Sequence, residues 1–153
     1  MAPKARQVKV RIPAGVDDGQ RIRLKGRGGA GRNGGPPGDL YVVVHVAQHQ
    51  LFKRKGKDLL LTVPVTFPEA ALGAEIKVPT LDGGPVTLRI PAGTRSGRTF
   101  RVKGRGVPVS KGAGDLLVTT EVAVPAKLSA EQRDAVEALA ENTKESPRAH
   151  LGV

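Results

Sequence analysis

The chain has 153 residues, no cysteine, and 25 Lys and Arg against 14 Asp and Glu, a formal charge of +11. Disulfides and cysteine-held zinc or iron–sulfur groups are therefore excluded, and no apolar run approaches the roughly 20 residues that a membrane-crossing helix needs. Apolar residues are mostly Val, Leu, Ile and Ala, aromatics are only 3%, and 20 Gly and 12 Pro break the apolar runs, a pattern of short strands and many turns.

The first predicted element is a strand from Val8 to Ile12, with Val8, Val10 and Ile12 on one face and Lys9 and Arg11 on the other. Pro13-Ala14-Gly15 ends it with turn chemistry. A second alternating strand is expected over Arg21–Lys25, then a Gly-rich loop, then a longer strand from Asp39 to Ala47. Further strands are expected over Leu59–Phe67 and Ala74–Val78, joined by a helical turn over Pro68–Gly73. The strand, turn and strand of the beginning then return, with Pro91-Ala92-Gly93 as the turn, Thr99–Lys103 as the short strand and Asp115–Pro125 as the long one. In the tail, Ser129 and Gln132 form a capping-box pair, and Val136, Leu139 and Ala140 make a narrow apolar stripe at helical spacing. The helix is expected to end near Asn142, with Ser146–Val153 frayed.

That return is a duplication. Val8–Gly28 and Val86–Gly106 align without gaps at a shift of 78, with 12 identities in 21 positions. Gly38-Asp39-Leu40-Tyr41-Val42 then matches Gly114-Asp115-Leu116-Leu117-Val118 at a shift of 76. Arg11, Arg21, Arg23 and Lys25, and Arg89, Arg101 and Lys103 after them, fall on the outward phase, so a solvated strand face accounts for much of the charge. The second copy is preceded by the patterned stretch Asp58–Thr80 and the first by nothing comparable, which reads as a fragment of a longer protein whose first module is incomplete.

No pattern points to catalysis. Gly26-Arg27-Gly28-Gly29-Ala30-Gly31 spells a dinucleotide-type glycine motif, but it runs into Gly34-Gly35-Pro36-Pro37 instead of opening the helix such a site requires. His45 and His49 lack an acidic partner at metal-ligand spacing and read as surface or turn residues. Asp39 and Asp115 each follow a glycine at the start of a strand, where holding a turn is the expected role. The charge admits a nucleic-acid-binding module of tandem small β domains as the alternative function. Against it, Tyr41, Phe52, Phe67 and Phe100 are dispersed and form no stacking platform.

Several blocks resemble the C-terminal region of DnaJ-type co-chaperones: Ile12-Pro13-Ala14-Gly15-Val16, Gly38-Asp39-Leu40-Tyr41-Val42, His49-x-x-Phe52-x-Arg54-x-Gly56-x-Asp58-Leu59, Glu69-Ala70-Ala71-Leu72-Gly73, Val78-Pro79-Thr80-Leu81-Asp82-Gly83 and Gly104-Arg105-Gly106-Val107-Pro108. The resemblance runs from about Val8 to Leu139. It implies a mainly β protein: a partial first β-sandwich module over residues 5–55, a second over 56–126, and a dimerisation helix and tail over 127–145. It implies capture of unfolded polypeptide clients as an added strand, with Val8, Val10 and Val42 at the pocket of the first module. The repeat carries those roles to Val86, Leu88 and Val118. It further implies a homodimer through Leu128, Val136 and Leu139, a DnaK-type chaperone as the partner of the full-length protein, a cytoplasmic location, and neither enzyme activity nor a cofactor in this chain. The family's J domain and zinc repeats have no counterpart in these residues.

Overall fold

The computed structural model describes residues 9–28, 37–81 and 83–153. Contacts divide the chain into two units, Met1–Val122 and Ala123–Val153. The architecture is mainly β, with strands β1 (Arg21–Leu24), β2 (Leu40–Val43), β3 (Lys53–Lys55), β4 (Asp58–Thr66), β5 (Ala74–Val78), β6 (Val86–Ile90), β7 (Thr99–Val102), β8 (Pro108–Val109), β9 (Gly112–Ala113) and β10 (Leu116–Ala123). Among the described residues two α-helices accompany them, α1 (Phe67–Leu72) and α2 (Ala130–Asn142).

The core belongs to the second copy. A four-stranded sheet runs in the order β3-β4-β10-β7, and β5 and β6 form a separate antiparallel ribbon. Leu59 and Leu61 of β4, Leu116 and Val118 of β10, Val78 of β5, Phe52 and Val107 pack into one buried cluster, with Ile76, Val86, Leu88 and Val102 against it. Sheet and ribbon thus close on each other as two layers, because each strand alternates apolar and polar residues and turns its apolar phase inward. Phe52 joins this core and the exposed strand β3 pairs with β4, both on the N-terminal side of the boundary expected at residues 55 and 56.

The link from β4 to β5 shows why the chain turns there. Thr66 caps α1 by accepting from the Glu69 N–H, and the Glu69 carboxylate accepts from the Thr66 N–H in return. Pro68 lies in the first turn, where its missing N–H costs nothing.

Some expected strands differ. Val8 lies outside the described residues, and residues 9–12 form no strand. Their counterpart β6 is a strand because β5 pairs with it along its whole length, and among the described residues nothing pairs with 9–12 in that way. The long strand expected over Asp39–Ala47 stops at Val43, although the Val44 N–H still reaches Gln20 O at 2.9 Å. Its counterpart β10 runs on to Ala123 with neighbours on both sides, β4 and β7. β3 and the small β8–β9 hairpin escape a reading by alternation, since strands of three and two residues are too short to show a period.

In the second unit, α2 begins as expected: Ser129 Oγ accepts from the Gln132 N–H at 3.1 Å, and Gln132 Oε1 accepts from the Ser129 N–H at 2.8 Å. It ends at Asn142, where Thr143 Oγ1 donates to Leu139 O at 2.7 Å. The tail, expected to fray, forms a 3-10 turn over Ala149–Leu151, with Ser146 Oγ accepting from the Arg148 N–H ahead of it.

Candidate functional site

The duplication is reproduced hydrogen bond by hydrogen bond. In the first copy β1 and β2 pair as Arg21↔Val43, Ile22↔Val42, Arg23↔Tyr41 and Leu24↔Leu40. In the second, β7 and β10 pair as Thr99↔Thr119, Phe100↔Val118, Arg101↔Leu117 and Val102↔Leu116. The shifts of 78 and 76 carry one register onto the other. Beyond the strands, Gly19 N donates to Val44 O and Gly97 N to Thr120 O, each at 2.7 Å.

The two aspartates hold the turns. Asp39 accepts from the Gly26 N–H at 3.0 Å and from Arg23, while Asp115 accepts from the Gly104 N–H at 3.0 Å and from Arg101. The backbone donor first and the guanidinium second hold each carboxyl below the usual carboxylate range. The hydrogen bond to Asp39 raises Arg23 in turn. These groups are structural, and they neutralise part of the outward basic face.

The same face has different fates in the two copies. In the second, Leu116 and Val118 are both 0% exposed. In the first, their counterparts Leu40 and Val42 are only half-buried, as are Ile22 and Leu24 opposite them. The difference lies on the far side of β2. In the second copy the start of β4 lies beside the start of β10, with the Leu59 N–H donating to Asp115 O at 2.9 Å and Asp58 Oδ1 accepting from the Asp115 N–H at 2.8 Å. A Cβ on Gly114 would stand 1.8 Å from Lys57 O, whereas one on Gly38, its counterpart, would meet nothing within 4 Å. Among the described residues β1 and β2 stand as a two-stranded sheet, so β2 keeps an open edge beside an incompletely covered apolar face.

A family model described as DnaJ C terminal domain matches residues 2–125. The chain belongs to the DnaJ C-terminal domain family. Chaperone protein DnaJ 1 of Streptomyces coelicolor is 58% identical over 152 residues, covering 98% of this chain and 38% of the relative. Chaperone protein DnaJ 2 of Cutibacterium acnes is 61% identical over 139 residues, covering 90% and 37%. Chaperone protein DnaJ 1 of Mycobacterium tuberculosis is 55% identical over 150 residues, covering 95% and 38%. The chain thus spans about two fifths of the length of the curated relatives it matches.

Within this DnaJ C-terminal region the expected site residues fall into four groups. Val10 and Val42 are half-buried in the first copy, and Val8 lies outside the described residues. Val86 and Leu88 are half-buried on β6 and pack against the central cluster. Val118 is a core residue whose side chain leaves no surface for a ligand. Ile22, Leu24 and Leu40 share the face of Val42, and only the strand register brings them to it, although their alternation is visible in the sequence. In the second unit, Leu128, Val136 and Leu139 are exposed at 41%, 50% and 47%, and Val136 and Leu139 lie three apart on α2.

The DnaJ-like blocks themselves are mostly turns and core. His49 Nδ1 accepts from the Leu51 N–H at 3.0 Å and its ring meets Phe52 edge-on, so this histidine shapes a turn. Thr80 Oγ1 donates to Gly84 O across the loop that joins β5 to β6. No helix among the described residues is long and apolar enough to cross a membrane.

Proposed function

We propose that this chain is the client-binding part of a DnaJ-type co-chaperone, and that it captures unfolded polypeptide on the first copy's hairpin. The observation that carries the reading is the half-covered face of Ile22, Leu24, Leu40 and Val42 beside the open edge of β2. An added strand would take its backbone hydrogen bonds from that edge, which favours no sequence, and seat large apolar side chains on that face. Val10 and Val42 are the first-copy residues of the pocket, with Val8 two residues before Val10 in sequence. Val86 and Leu88 offer a lesser surface on the second copy, and Val118 acts from beneath as packing.

The two repeat copies serve as the two modules, with Phe52 and β3 counted in the second although the expected division fell at 5–55 and 56–126, and residues 127–145 join two chains through Leu128, Val136 and Leu139. In the full-length protein clients pass to a DnaK-type chaperone in the cytoplasm. The chain itself needs no cofactor and performs no chemical step. The names of the relatives, all chaperone proteins, support the non-enzymatic reading.

The test is fluorescence anisotropy of a labelled, unstructured, hydrophobic peptide at physiological salt. Saturable binding is expected, weakened roughly tenfold or more by Val42→Asp, since a carboxylate on an apolar face costs at least ~1.4 kcal/mol. Unlabelled oligonucleotide should not displace the peptide. Failure of the unsubstituted chain to bind would sink the proposal, and displacement by oligonucleotide would transfer the surface to polyanions.

A further inference from the structure

We propose that Arg54 is a clamp that fixes the first repeat copy against the second. The residue lies on β3, at the edge of the second copy's sheet, with its side chain 27% exposed. Its guanidinium reaches back 38 and 39 residues: Nη1 donates to Val16 O at 2.8 Å and Nη2 to Gly15 O at 2.5 Å. Nε lies 2.9 Å from Asp17 Oδ1 and also donates to Gly56 O at 2.7 Å, which braces the side chain against its own hairpin. One side chain thereby holds three consecutive residues of the other copy, using the planar fork that lysine lacks.

The repeat shows that this use is special. In the second copy the equivalent turn docks inside its own module, where Gly93 N donates to Ala71 O at 3.1 Å and Thr94 N to Ala70 O at 2.9 Å of α1. The first copy's turn offers its carbonyls across the junction instead. It also sits directly on β8: a Cβ at Gly15, whose φ is +79°, would stand 2.3 Å from Pro108 O. Between Val46, whose N–H donates to Asp18 Oδ1 in the first copy, and Phe52, buried in the core of the second, residues 47–51 contain neither strand nor helix, so the chain that crosses the junction supplies little stiffness. The orientation of the first copy therefore depends on Arg54 and the seat of Gly15 on Pro108. This inference does not rest on peptide capture.

The chain has no native cysteine, so Arg21→Cys on β1 and Thr87→Cys on β6, both exposed, can be spin-labelled in the full chain. Pulsed electron paramagnetic resonance then reads the distance between the copies. A single narrow distance is expected in the parent, and its loss to a broad distribution in Arg54→Ala and in Arg54→Lys, which keeps the charge but not the fork. Hydrogen exchange at Leu116 and Val118 should stay protected in both, separating release of the clamp from unfolding. Should Arg54→Ala fail to fold, Arg54→Lys decides the matter. A narrow peak retained in a folded variant, or a broad distribution already in the parent, would overturn the clamp.

Discussion

Gly38 and Gly114 hold the same place in the repeat, yet only Gly114 is pressed by a neighbour, with Lys57 O where its Cβ would be. Gly114→Ala should therefore destabilise the chain by about 2 kcal/mol or more, as overpacking against backbone does. Gly38→Ala should change stability little, and urea denaturation of the two variants checks the contrast. The paired aspartates give a pH signature. Both carboxyls sit below their ordinary range in the folded chain, so their stabilisation is complete above the unfolded value of about 3.9 and is lost as pH falls through the folded values. The urea midpoint should fall as the solution is acidified below about pH 4, and less steeply in Asp39→Asn/Asp115→Asn.

At the scale of elements, one hairpin has been built twice and covered once. The registers agree pair for pair, so local sequence suffices to align the strands in both copies. Burial differs because β4 and the β5–β6 ribbon enclose only the second hairpin. Leu116→Ala should accordingly cost roughly 2–5 kcal/mol, as for other fully buried leucines, and Leu40→Ala distinctly less. Equal losses in thermal or urea denaturation would mean that the first hairpin is as well covered as the second. The charged edge strands Lys53–Lys55 and Arg21–Leu24 discourage pairing with stray strands, whereas β2 carries the edge of the proposed client surface.

At the scale of the molecule, the proposed client surface and the proposed pairing surface lie in different units of the chain. α2 buries none of its own residues, and it keeps Val136 and Leu139 exposed on a helix with well-formed caps. Light scattering should find a dimer at micromolar concentration, and Val136→Asp/Leu139→Asp should reduce it to a monomer with peptide binding per chain intact. A parent that stays monomeric at every accessible concentration would remove α2 from the pairing role.

The sequence by itself determined the duplication, its two shifts, most strands of the second copy, α1, and the start and end of α2. The duplication rests on the match between distant segments, and the strands and helices on local signals: alternation, a turn triplet, a capping pair. The turn role of Asp39 and Asp115 was legible for the same reason, since each stands one residue beyond a glycine at a strand start. Only the tertiary structure decided that Val42 and Val118, equivalent in sequence, differ in burial, that residues 9–12 form no strand, and that Arg54 crosses from one copy to the other. Those outcomes depend on which distant segment lies alongside, and a strand's own residues do not encode the presence of its neighbour.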